Sequence, residues 1–467
     1  MTQTRTRKFL LVLAIGTLAA APVFAQKQTP PAGGPPKPFA VPAHETYALP
    51  NGLQVTLIPY GNLPKVFAVV AVRVGSLNEP KETLGVADLT GRLLKEGTTA
   101  LDAKALAEAT ARMGSSLDTG VTPDETTLSL DVLTEYGPDA VKLLADVAQH
   151  PLLPESELPR LKTDLLRQVA IAKTRSGQIA LARFRKILYG DHPYGDVLPT
   201  EDTIQKTAIA DVKKFYESNY GAARAHIYVA GKFDVPAVKK AIAESLSRWA
   251  KGPAPLVNVP KMKPQHVLDV TDRPGAPQST LYIGLTVPDA NSPDSIPFTV
   301  MNSLLGGSFG SRITSNIREQ KGYTYSPSSQ ISRRYRDAYW AEVADVTTSA
   351  TGPSLKEIFG EIERLQKEPP PAAELQGIQS FLSGLFVIQN SSRQALIGQL
   401  RFLDLQGLND DYLKTYVQKV NAVTPADVQR MTAQYIKPEL MTIVVVGDKA
   451  KITEQLAPFV PAAESKQ

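Results

Sequence analysis

The 467-residue chain has no cysteine, which excludes disulfide scaffolds, thiolate zinc centres, iron–sulfur clusters and cysteine nucleophiles together. Any metal must therefore be held by histidine or carboxylates. Histidine is also scarce: the five, His44, His150, His192, His226 and His266, stand at least 34 residues apart, so no two share a helix turn as a local metal-binding pair. Each reads as a packed or solvated histidine, and His192 in Asp191-His192-Pro193-Tyr194-Gly195 reads as part of a structural turn. Beyond the N-terminal segment no apolar run is long enough to span a bilayer, which excludes a polytopic membrane protein. Aromatic residues make up 7%, charged residues 21% and apolar residues 43%, a balance that buries a sizeable core and excludes disorder. Two or three domains are expected for this length.

The first 25 residues read as an export signal. Arg5, Arg7 and Lys8 form a basic start, Phe9 to Ala21 an apolar stretch too short to span, and Val23-Phe24-Ala25 a small-residue cleavage box, with cleavage expected after Ala25. A retained signal anchor is the alternative. The segment carries three positive charges and no acid, so its removal takes the formal charge from +5 to +2. A nearly neutral chain without a dense Lys/Arg stripe is a poor nucleic-acid binder. The expected address is the periplasm or the exterior of a bacterial cell.

Residues 26–43 form a proline-rich tether, with six prolines between positions 29 and 43. A second proline-rich stretch, 250–264, reads as a linker between domains spanning 44–249 and 265–460. Both halves end alike. Ala210-Asp211-Val212 and Ala426-Asp427-Val428 each open a helical stretch followed by an apolar strand, and Asp211 to Gly231 and Asp427 to Gly447 are each 20 residues apart. The pattern predicts a duplicated domain of about 200 residues. Expected strands cover 53–59, 65–75, 125–133 and 225–230, then 278–287, 324–333, 338–347 and 441–446. Long helices are expected at 84–96, 103–113, 155–175, 352–367, 372–389 and 392–406. Together they predict an α+β protein in which each domain is a sheet with long helices packed on one face.

One motif invites a hydrolase reading and fails it. Gly306-Gly307-Ser308-Phe309-Gly310 fits the G-x-S-x-G nucleophile elbow, which needs a strand before the serine and a late histidine. No histidine follows His266, and 296–305 reads as a helix. The same glycines fit neither dinucleotide nor P-loop patterns.

Leu49-Pro50-Asn51-Gly52-Leu53, the run Gly85 to Thr98, His192-Pro193-Tyr194-Gly195 and Leu304 to Ser326 together resemble the insulinase/pitrilysin (inverzincin) metallopeptidases, above all their two-domain, processing-peptidase-like subunits. The resemblance covers nearly all of the mature chain and implies a LuxS/metallohydrolase-like fold. Working members carry His-x-x-Glu-His on a helix, where positions i, i+3 and i+4 present two imidazoles to Zn²⁺ and a glutamate as general base. A third ligand, a glutamate, follows about 76 residues later. Here those places hold Asp88, Gly91, Arg92 and Gln168. Glycine cannot activate water, arginine is a cation, and glutamine lacks the anionic oxygen that favours a dication, so no zinc cofactor is expected in this chain. Asp88 and Arg92 form an i, i+4 acid–base pair, read either as a vestigial site or as an ordinary surface ion pair.

The glycine-rich turn with Gly306, Gly307 and Gly310 is similar to the family segment in which an arginine and a tyrosine seven residues later meet the substrate backbone and the developing oxyanion. Arg318 and Tyr325 hold that spacing. Their residue types suit the role, a guanidinium fork gripping a carbonyl and a phenol donating to an oxyanion. The resemblance thus implies a subunit inactive alone that supplies Arg318 and Tyr325 to a homologous zinc-bearing partner cleaving short or unfolded peptides. The alternative is a structural or peptide-binding family member without hydrolytic role. Sheet edges at 324–333 or 65–75 are expected to hold an extended peptide by strand addition.

Overall fold

The computed structural model describes residues 39–262 and 265–461. The expected signal, most of the tether, and Lys263 and Pro264 of the expected linker lie outside the described residues. The described residues fall within one compact unit.

Two sheets organise the chain. The first contains β1 (Glu45–Ala48), β2 (Gln54–Pro59), β3 (Lys65–Val72), β4 (Asp118–Val121), β5 (Thr126–Leu133) and β6 (Ala225–Gly231), in the order β1-β2-β6-β3-β5-β4. The second contains β7 (Val267–Asp272), β8 (Gln278–Thr286), β9 (Ser328–Arg334), β10 (Asp337–Thr347) and β11 (Thr442–Gly447), in the order β7-β11-β8-β10-β9. With the β1 hairpin set aside, the orders superpose strand for strand. Each sheet carries one parallel pair, β2 with β6 and β7 with β11, formed by its first and last strands, and is otherwise antiparallel.

The helices repeat as well. In the first half come α1 (Val86–Leu93), α2 (Gly137–Gln149), α3 (Leu158–Thr174) and α4 (Ser176–Tyr189). In the second half the same places in chain order are taken by α5 (Ser295–Asn302), α6 (Thr351–Lys367), α7 (Ala372–Gln389) and α8 (Arg393–Gln406). Strand β5 shows why one sheet face meets its own helices. Leu128, Leu130 and Val132 alternate into a core with Ala140, Val141 and Leu144 of α2, while Ser129 and Asp131 point the other way.

Each sheet carries helices of its own half on one face, as expected, and its second face is covered as well, by a helix from the other half. The second face of the first sheet, with Ile58, Val69, Ala71 and Tyr228, packs on Ile397 of α8, which comes from the other half. Reciprocally, Ala180 and Phe184 of α4 pack on Tyr282, Tyr339 and Val444 of the second sheet, with Phe184 4.7 Å from the Tyr282 ring. Each half thus lends one helix to the other's sheet. The strand at 65–75 is likewise central, between β6 and β5, and offers no edge to a peptide. Residues 39–43 are not all free tether: Phe39 stacks edge-on with Phe386 of α7 at 5.0 Å, and Val41 joins the same cluster.

Candidate functional site

Helix α1 begins where Gly85 adopts φ 97°, and its first amides are held by a side chain six residues upstream. Glu79 accepts from Gly85 N at 3.0 Å and from Ala87 N at 2.7 Å, a carboxylate cap that suits the positive end of the helix. Burial nevertheless pushes its carboxyl up to about 7, against the pull of the two amides and with a further push from Asp88 and Asp196. Val86, Leu89 and Leu93 sink into the core, which leaves Asp88 and Arg92 on the opposite, half-buried face.

Hydrogen bonds join three of the four positions of the expected degenerate site, Asp88, Arg92 and Gln168. Arg92 donates from Nε to Asp88 Oδ2 at 2.7 Å and from Nη2 to Gln168 Oε1 of α3 at 2.7 Å. One guanidinium therefore bridges the two helices. Gly91 is buried against β4, and a Cβ there would overlap Val121 Cγ2, so a general-base side chain has no room. Zinc does not fit this donor set: one carboxylate is spent on an arginine, a second position is a cation, and a third has no side chain. Among the described residues no three His, Asp or Glu side chains are grouped to hold a metal. The histidines serve elsewhere. His226 bonds Thr56 Oγ1 at 2.8 Å and stacks on Tyr228, and His192 accepts from Tyr194 N at 3.2 Å and lies 3.2 Å from Asn258 O.

The glycine-rich turn continues α5 as a π-helical turn, Ser303–Gly307, so Ser308 follows a helix and the nucleophile-elbow context is missing. A Cβ on Gly306 would stand 2.5 Å from Glu342 Oε2, and one on Gly307 would overlap the Asn302 amide; Gly310 has open space. Beneath Gly306, Glu342 is fully buried, and burial holds its carboxyl well above the usual range against the pull of the Ser328 backbone. Arg318 sits in a second π-helical turn, Ser315–Gln320, 4.2 Å above the Phe309 ring and 3.4 Å from Glu319 Oε1. Tyr325 is 85% exposed, three residues before the edge strand β9. Arg318 and Tyr325 share no hydrogen bond, and neither lines the cavity beside Asp88 and Gln168.

That cavity holds two residues the sequence reading missed, Glu79 and Arg185. Glu79 stands one short turn ahead of a helix start, where a capping carboxylate is a recognisable signal. Arg185 lies on the apolar stripe of α4, four residues after Leu181 and three before Leu188, an unusual place for a cation.

The comparisons agree with this architecture. Residues 59–200 match Insulinase (Peptidase family M16), and residues 208–382 match Peptidase M16 inactive domain. The chain is 24% identical to "Uncharacterized zinc protease YmxG" of Bacillus subtilis, over 77% of this chain and 90% of that one. It is 23% identical to "Non-peptidase homolog YmxG" of Helicobacter pylori, over 83% and 90%, and 25% identical to "Zinc protease PqqE" of the same organism, over 86% and 93%. A solved peptidase M16 inactive domain from Pseudomonas fluorescens shares the fold with a TM-score of 0.79 at 24% identity, covering 91% of this chain and all of that one. With a repeated sheet-and-helix half, a glycine-rich π-helical turn and both domain matches in sequence, this chain belongs to the insulinase family, peptidase family M16.

Proposed function

We propose that this chain is the non-catalytic, zinc-less subunit of an exported heteromeric metallopeptidase, lending Arg318 and Tyr325 to a homologous chain that carries an intact His-x-x-Glu-His. The observation that carries the reading is the Arg92 bridge from Asp88 to Gln168, which fills the metal position with a charge that repels a metal. Tyr325 supports it from the other half, since a phenol so exposed is free to meet a substrate held by another molecule. The edge strand β9 just beyond it has one unpaired side and suits an extended peptide. It also fits that Helicobacter pylori has relatives named both non-peptidase homolog and zinc protease. On α7, Phe381, Val387 and the 72% exposed Ile388 give an apolar surface for a partner chain.

Mixing the purified chain with a zinc-bearing homologue tests the reading. Peptide cleavage is expected to appear or rise on mixing, and Arg318→Ala to lower it by about tenfold to a thousandfold, the size usual for an oxyanion donor. Full cleavage by the homologue alone, unaffected by this chain, contradicts the subunit role.

A further inference from the structure

The cavity beside α1 has a volume of about 430 Å³, in the range of sites that enclose a small organic ligand. Its charged groups are unevenly matched. Every acid is engaged: Asp88 by Arg92 at 2.7 Å, Asp196 by Lys186 at 3.1 Å, and Glu79 by the two amides at the start of α1. The cation is not. Arg185 is only 7% exposed, yet among the described residues its guanidinium makes no hydrogen bond and no ion pair, and Nε is buried without a partner. Burial, together with the neighbouring Arg334 guanidinium, draws its pKa down; the Asp337 carboxylate lies near Arg334, but among the described residues no acid forms an ion pair with Arg185. Arg334 relieves its own position by lying 5.1 Å from the Tyr194 ring centre. Arg185 has no such relief, and an unpaired buried charge is among the costliest features a fold can retain.

Packing does not require the charge. Phe184 and Ala180 already seat α4 on the second sheet, and the position of Arg185 would accept an apolar side chain of similar length. What the charge can do is receive an anion from the cavity. Of the uncharged walls, Leu84, Val121, Leu165, Val169 and Leu198 are aliphatic and would cover a hydrocarbon body, with Ser76, Thr122 and Gln168 as the polar exceptions.

We propose that this cavity binds a carboxylate carried on a short aliphatic body, with Arg185 receiving the carboxylate. A planar guanidinium fork matches two carboxylate oxygens. A doubly charged phosphate is disfavoured by the single cation and by the carboxylates of Asp88 and Asp196 on the same walls. The carboxylate has two sources, the C-terminus of a short peptide with an aliphatic last residue, or a free aliphatic acid. The site needs no partner chain, so its test is independent of the subunit reading.

Calorimetric titration of the full chain with N-acetyl-leucine, the tripeptide Ala-Ala-Leu, its C-terminal amide and inorganic phosphate decides the matter. At least one of the two acids is expected to bind, and the amide at least about tenfold more weakly than the free tripeptide if the tripeptide binds. Tighter binding of the tripeptide identifies a peptide C-terminus, and tighter binding of N-acetyl-leucine a free acid. Arg185→Met is expected to abolish acid binding while raising the melting temperature of the ligand-free chain, since it removes an unpaired buried cation. Val169→Phe, which fills the cavity and leaves every charge in place, is also expected to abolish binding. No binding of either acid, equal binding of the tripeptide and its amide, phosphate binding as tight as either acid, or undiminished binding by Arg185→Met overturns the assignment. The acid-against-amide comparison on the unmodified chain holds even if a variant fails to fold.

Discussion

At Gly91 the backbone of α1 passes so close to Val121 of β4 that no side chain fits between them, and the next residue, Arg92, ties α1 to α3 through Gln168. Loss of the peptidase ligands is thus a matter of space as well as of residue type. Restoring the family pattern by Asp88→His, Gly91→Glu, Arg92→His and Gln168→Glu is expected to lower the melting temperature and to yield no stoichiometric zinc binding while Val121 is intact. Adding Val121→Ala, which removes the blocking methyl, is expected to recover part of both, as read by thermal unfolding with and without zinc. Full zinc loading with Val121 unchanged contradicts the steric account. Glu79 gives a second expectation at this scale. Its carboxyl is lifted from 4.5 to about 7 on folding, so the folded chain holds a proton that the unfolded chain releases over that range. The stability tied to this proton is complete below about 4.5 and is lost as the pH rises through about 7. Glu79→Gln keeps an acceptor for the α1 amides and removes the titration. Relative to it, the unmodified chain is expected to be more stable at pH 5 than at pH 8 in denaturant unfolding, and parallel curves contradict the assignment.

Between the halves, the exchanged helices α4 and α8 carry the polar fastenings. Arg401 of α8 donates to Glu125 Oε2 at 2.6 Å, and Tyr189 of α4 donates to Asp337 Oδ2 at 2.5 Å. Glu125 is buried, so Arg401→Ala leaves a carboxylate without its partner and is expected to cost about 3 kcal/mol in urea unfolding. A loss within about 0.5 kcal/mol shows that the seam tolerates the break. The elements themselves were largely legible. Alternation identified β5, and the long helices 352–367, 372–389 and 392–406 fall within a residue of their observed bounds. Three strands escaped, β1, β4 and β7; the first two are only four residues long, and β4 contains Asp118 and Gly120 and β7 Asp269 and Asp272, types that favour turns. The misplacement of 65–75 at an edge has a physical reason. Val66, Ala68, Val70 and Val72 show the buried face, but Val69 and Ala71 between them are apolar too, the mark of a strand covered on both sides.

Taken whole, the molecule is a duplication that neither half completes by itself. The equal spacing of Asp211 to Gly231 and Asp427 to Gly447 revealed the repeat, while the exchange of helices left no local sequence signal, because it depends on contacts between residues far apart in the chain. Residues 39–249 expressed alone are expected to bind a hydrophobic dye and aggregate, since Ile58, Val69 and Tyr228 would lose the cover of α8. A soluble, cooperatively folding fragment contradicts that dependence. The site divides in the same way. Asp88, Gly91, Arg92 and Gln168 were readable by family spacing, and hydrogen bonds join the three that carry side chains, whereas Glu79 and Arg185 matter through a cavity that only the packing of α1, α3 and α4 creates. Metal analysis of the purified chain, after saturation with zinc and removal of the excess, tests the central claim most directly. The Arg92 bridge predicts far less than one zinc per chain and no chelator-sensitive peptide cleavage. One tightly held zinc per chain with cleavage that a chelator stops would contradict it.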